Sequence, residues 1–130
     1  MKKSKQVQSL PVINPHAAGI DIGASFHVVA VPPDRGDDSI RTFKAFTGDI
    51  ERMADWLVQQ GITTVAMEST GVYWVAVYEI LEQRGIEAVL SNARDTRSVS
   101  GRKTDVNDAQ WIQRLHACGF TANSRYHLIH

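Results

Sequence analysis

The chain has 130 residues, enough for one compact domain with its own core, and its 43% hydrophobic and 22% charged content is that of a globular protein rather than a disordered or fibrous one. Fourteen Lys and Arg balance fourteen Asp and Glu, so net charge carries no signature of a polyanionic partner. A single cysteine, Cys118, excludes an intramolecular disulfide and a Cys-rich zinc cluster, and the absence of any apolar run as long as a membrane span or a signal-peptide core points to a cytoplasmic protein.

Residues 1–15 open with "MKKSKQVQSL", three lysines and no acid, and read as a flexible basic tail. "AAGIDIG" (17–23) is a short apolar run that reads as a strand buried on both faces. "FHVVAV" (26–31) and "SIRTFKAF" (39–46) read as two more strands, the latter with Ile40, Phe43 and Phe46 as its apolar positions. Short links between these strands, including the turn-rich "PPDRGDD", predict an antiparallel meander. In "GDIERMADWLVQQG" the apolar spacing turns helical through Ile50, Met53, Ala54 and Leu57, with Asp49 as N-cap and Gly61 as the stop. "TTVAME" (63–68) is a fourth strand and "VYWVAVYEILEQRG" (72–85) a helix, apolar nearly all round in its first half. "IEAVLS" (86–91) is a fifth strand, and a last helix is expected from Thr104 to about Ala117. The order β-β-β-α-β-α-β-α predicts an α/β fold, a mixed five-stranded sheet in which two strands add in parallel to the meander, with helices on its faces.

The acids fall at suggestive places. Asp21 lies in the middle of the first strand, where a carboxylate needs a partner charge, hydrogen-bond donors or a metal. An alternative is that it accepts bonds from the Gly23-Ala24-Ser25 turn. Glu68 ends the fourth strand, at the edge where ligands of open α/β sheets gather. It is equally readable as a solvated acid, with Ser69 or Thr70 capping the next helix. Asp105 and Asp108 are spaced for one helix face, in a stripe continued by Ile112 and Leu115. Capping accounts for an acid at the helix start but not for acids that continue a buried stripe.

Four carboxylates brought together repel one another unless they hold hard divalent cations, for which Mg²⁺ is suited and Mn²⁺ can substitute. Two such ions about 4 Å apart stabilise both oxygens of a phosphodiester displacement. Between the fifth strand and the last helix, Arg94, Arg97, Arg102 and Lys103 outnumber one acid, Asp95, as candidate phosphate contacts or as a solvated basic loop. "VYW" (72–74) offers aromatic stacking, though core packing is its first reading. His116 and Cys118, two apart on a helix, are poorly spaced for zinc.

"GIDIGAS", "AMESTGVYW" and "GRKTDVNDAQWI", in this order, resemble the DEDD transposases of bacterial insertion sequences, the family numbered one hundred and ten, with the Piv-type invertases as relatives. The resemblance implies an RNase H-like, RuvC-like fold over residues 16–118. It further implies that Asp21, Glu68, Asp105 and Asp108 are a catalytic tetrad binding Mg²⁺ for DNA strand cleavage and transfer in transposition. Some members are guided by a bridge RNA, and a homo-oligomer is expected of the full-length protein. Members carry a second, serine-containing domain. Residues 119–130 do not look like its beginning, so the sequence is expected to be a truncated transposase domain, and Ser124 is not assigned the nucleophile's role. The competing readings are an actin- or sugar-kinase-like ATP-binding domain, for which "DIGAS" would be a phosphate loop, and an inactive nucleic-acid-binding remnant.

Overall fold

The computed structural model describes residues 10–91 and 107–121. Its elements are β1 (Ala17–Ile22), β2 (Phe26–Ala30), β3 (Ile40–Lys44), α1 (Thr47–Gln59), β4 (Thr64–Ser69), α2 (Trp74–Gln83), β5 (Glu87–Leu90) and α3 (Asp108–Ala117). One five-stranded sheet has the order β3-β2-β1-β4-β5. β1 pairs antiparallel with β2 and β2 with β3, while β4 joins β1 in parallel and β5 joins β4 in parallel. This is the expected meander with two parallel additions. β1 is central because it is apolar on both faces, and all its residues are buried except half-buried Asp21.

The two faces of the sheet are covered differently. Ile20, Ile22, Val65 and Met67 point into the main core with Met53 and Leu57 of α1 and Val77 and Leu81 of α2. On the opposite face Ala66 and Val89 form a thin apolar contact with Ile112 of α3. Under the middle of α3 the sheet presents Gly19 and Ala66, so the helix approaches closely. A Cβ on Gly19 would lie 2.3 Å from the Gln113 amide nitrogen and 2.7 Å from the Ala109 carbonyl oxygen. Glycine at this position is what lets the helix backbone rest on the strand. The Gln113 side chain fixes the packing by donating to the Ala17 carbonyl at 3.0 Å.

Several boundaries differ from expectation for local reasons. α1 starts at Thr47, so Asp49 is a first-turn acid paired with Arg52, and Phe46 occupies the N-cap position without a side-chain cap. Phe46 is 70% exposed, because the chain has already left β3. α1 does stop at Gly61, where φ is +73° and the amides of Gly61 and Ile62 bond back to Val58 and Leu57. Neither Ser69 nor Thr70 caps α2, which begins at Trp74 behind Tyr73. Of "VYW", only Trp74 packs on the core, edge-on to Tyr78; Val72 and Tyr73 are 73% and 50% exposed. α3 begins at Asp108 rather than Thr104, since Asn107 is its N-cap in extended backbone.

The lower end of α3 is tied down by polar groups. His116, 3% exposed, contacts Thr64 Oγ1 of β4 through Nε2 at 2.8 Å and Thr121 Oγ1 through Nδ1. Thr64 donates its one hydroxyl proton to Glu87 of β5 at 2.8 Å, so it accepts from His116, which assigns the imidazole proton to Nε2 and makes Nδ1 the acceptor from Thr121. Burial pushes the His116 pKa down to about 4, against the opposing pull of Glu87. Asn14 bonds the His116 carbonyl at 2.9 Å, and the amides of Ile13 and Asn14 bond that of Ala117.

Candidate active site

Parallel pairing of β1 with β4 brings the first two acids together. Asp21 and Glu68 are register partners, each the next-to-last residue of its strand. Partners across a ladder share a face, so both carboxylates project on the α3 side at the carboxyl edge of the sheet. Gly19 and Ala66, two residues earlier and themselves partners, lie under the helix. The apolar alternation that buries Ile20, Ile22, Val65 and Met67 on the other face therefore directs Asp21 and Glu68 to this one. Both acids are half-buried.

α3 runs against β1, with Gln113 beside Ala17 and His116 at the start of β4, so its N-terminus lies at the same edge as the acids. There Asp108 occupies the first turn. The helix start is held by a capping box: Asn107 Oδ1 accepts from the Gln110 amide at 2.8 Å, and Gln110 Oε1 accepts from the Asn107 amide at 3.0 Å. The spacing Asn-x-x-Gln in "NDAQ" is the readable signal of that box, and it marks Asn107 as the residue that positions Asp108. The expected stripe is met at Ile112 and Leu115, both buried, whereas Asp108 is exposed at its upper end. Asp105 and the basic residues Arg94, Arg97, Arg102 and Lys103 lie outside the described residues.

The electrostatics connect Asp21 with Asp108. Burial raises the Asp21 pKa above the ordinary carboxylate value, and the negative charge of Asp108 raises it further. A carboxylate held near a second acid is poorly stabilised by the protein alone. A bound cation would reverse that balance, and the donors here are the hard oxygens that Mg²⁺ or Mn²⁺ prefers. The donor set therefore fits a divalent cation in kind. Among the described residues, no three such side chains are close enough to form a complete cation cage.

This arrangement sits inside a stretch matched by a known family, since residues 18–121 match the DEDD transposase family of IS110 type, described as transposase. The chain belongs to the DEDD transposases. The mixed five-stranded sheet agrees with the RNase H-like fold of that family. A transposase domain works on DNA, and members of the family generally use divalent metal. No curated protein matches the chain. Among the described residues of this transposase domain, no helix is long and apolar enough to cross a membrane.

Sequence reasoning missed three positioning residues. Gly19 sets the closeness of α3 to β1, Gln113 anchors the helix to the strand, and Asn107 starts it. Only Asn107 carried a sequence signal of its own. Gly19 and Gln113 become meaningful only when β1 and α3 are known to touch.

Proposed function

We propose that Asp21, Glu68, Asp105 and Asp108 together bind Mg²⁺, replaceable by Mn²⁺, in DNA strand cleavage and transfer during transposition. The observation that carries this reading is the in-register pair Asp21 and Glu68 at the sheet's carboxyl edge, with Asp108 near enough to raise the Asp21 pKa. Bound cations would supply charge neutralisation at the phosphate oxygens and at the leaving oxygen. The chain's own contribution is positional. β1 and β4 fix two carboxylates side by side on a hydrogen-bonded ladder, and the capping box fixes the helix end that brings the third. Arg94, Arg97, Arg102 and Lys103 are proposed to contact backbone phosphates, which positions the strand without reading its sequence. A bridge RNA as guide and a homo-oligomeric assembly are the further features of this proposal. The family match favours it over the ATP-binding reading of "DIGAS".

Calorimetric titration of Mn²⁺ into the wild type and into Asp21→Ala tests the site. The wild type should bind and the variant should lose most of that affinity. Equal binding by both would remove Asp21 from the metal site.

A further inference from the structure

A second feature lies on the other face of the sheet. His27 is the register partner of Ile22 and so faces α1 and α2 rather than α3. It is 1% exposed, and its Nε2 has no hydrogen-bond partner among the described residues. Its Nδ1 takes a long bond from the Gly23 amide, 3.4 Å, and burial lowers its pKa, favouring the neutral ring, against the opposing pull of the Phe26 backbone. An imidazole nitrogen buried without a partner is costly, and in a native protein it calls for an explanation.

His27 lines a cleft of about 380 Å³, at the small end of ligand pockets. Ala45, Ile50, Val75 and Ala76 form apolar walls. Tyr73, half-exposed, and Glu79, exposed, also line it. The segments that carry the acids lead into it: Ala24 lies three residues beyond Asp21, and Val72 four beyond Glu68. The cleft and the acids therefore sit at one edge of the sheet, on opposite faces.

We propose that this cleft accepts one unpaired nucleobase of the DNA strand bound at the acids, an inference that rests on the DNA-acting site argued above. A base is flat and apolar on its faces and carries hydrogen-bonding groups along its edge. The cleft pairs apolar walls and an aromatic ring with two polar groups, the His27 imidazole and the Glu79 carboxylate. With Nδ1 accepting from the Gly23 amide, neutral His27 carries its proton on Nε2 and can donate it to a base edge, and Glu79 can accept from an exocyclic amine. Among the described residues no cationic side chain lines the cleft, and Glu79 repels phosphate, which disfavours entry of the sugar-phosphate backbone. The same charge disfavours a phosphopeptide.

The test is fluorescence anisotropy on the full chain, in EDTA so that the metal site does not contribute. Two labelled single strands of about ten nucleotides, a common site size for single-strand binders, are compared: one of mixed sequence and one fully abasic with the same phosphates. The wild type should bind the base-bearing strand about ten-fold more tightly, the scale of one base contact. His27→Leu removes the unpartnered nitrogen and should bind both strands alike. Ala76→Trp, at an exposed position, fills the cleft without entering the core and should also lose the preference. A wild type without preference, or either folded variant retaining it, overturns the proposal. A wild-type dimer in sedimentation that Ala76→Trp dissociates would overturn it too, by assigning the cleft to a second copy of the chain. The Mn²⁺ titration is read separately, so failure of the base preference with intact Mn²⁺ binding refutes the cleft and leaves the metal site standing.

Discussion

Gly19→Ala is the most searching perturbation of how this domain builds its site. The added Cβ would lie 2.3 Å from the Gln113 nitrogen, 2.7 Å from the Ala109 oxygen and 2.8 Å from the Gln113 Cα. These are backbone atoms of a helix, so no side-chain rotation relieves them. Reaching 3.4 Å, where ordinary contact begins, requires α3 to retreat by about 1.1 Å. Overpacking of this kind costs about 1–3 kcal/mol, and the backbone clash places this variant near the upper figure, about 3 kcal/mol. The same retreat lengthens the Gln113 bond to Ala17 and draws Asp108 away from Asp21. Urea unfolding should show the midpoint falling with an unchanged slope, and Mn²⁺ calorimetry on the folded variant should show weaker binding. Gly48→Ala is the control. It lies in the first turn of α1 where, among the described residues, only the tip of Arg52 comes near its Cβ, at 3.7 Å, and should stabilise by about 0.5–1 kcal/mol. A Gly19→Ala protein within about 0.5 kcal/mol of wild type, the range of an inert surface change, would refute the close packing of α3 on β1.

Three further outcomes are expected. Asp21→Asn removes a carboxylate that burial and Asp108 both oppose, so its melting temperature in EDTA should equal or exceed that of wild type while Mn²⁺ no longer raises it; a large drop in EDTA would contradict this. The pKa of His116 in the fold is about 4, below its ordinary 6.5, so the unfolded chain binds this proton first as pH falls. Its contribution is therefore whole above pH 6.5 and is lost on descending toward pH 4, a swing of about 3 kcal/mol. His27 shifts the same way, so the measurement is the difference between wild type and His116→Gln in urea unfolding at pH 7 and pH 4.5, which should narrow on acidification. Asn107→Ala breaks the capping box and should cost about 1 kcal/mol in the same assay; no loss would mean that the box does not hold the start of α3.

Much of the fold was legible because the sequence changes period where the elements change. Short runs rich in apolar and β-branched residues, bounded by turns, give way to helical spacing at Ile50, and Gly61 and Gly85 follow α1 and α2. Asp21 was visible as a misfit within the first strand and Glu68 as an acid ending the fourth, but their adjacency is a property of the β1–β4 register, which no local pattern encodes. Boundaries were less legible. Val72 and Tyr73 belong by composition with Trp74, yet they lie outside the helix that buries Trp74. The His27 cleft was invisible because an alternating strand does not reveal which helix will stand opposite each face.

The thin seam under α3 also divides the molecule by strength. The main core among β1, β4, α1 and α2 is built from large side chains, whereas α3 meets the sheet over Gly19, Ala66 and Val89. Ile112 and Leu115 of α3 are buried, but the sheet meets the helix with smaller side chains than the main core holds, so α3 is expected to open locally before that core does. Amide hydrogen exchange should run faster in α3 than in β1 and β4. Two acids ride on the slow unit and Asp108 on the fast one, so anything that bridges them welds two motions into one.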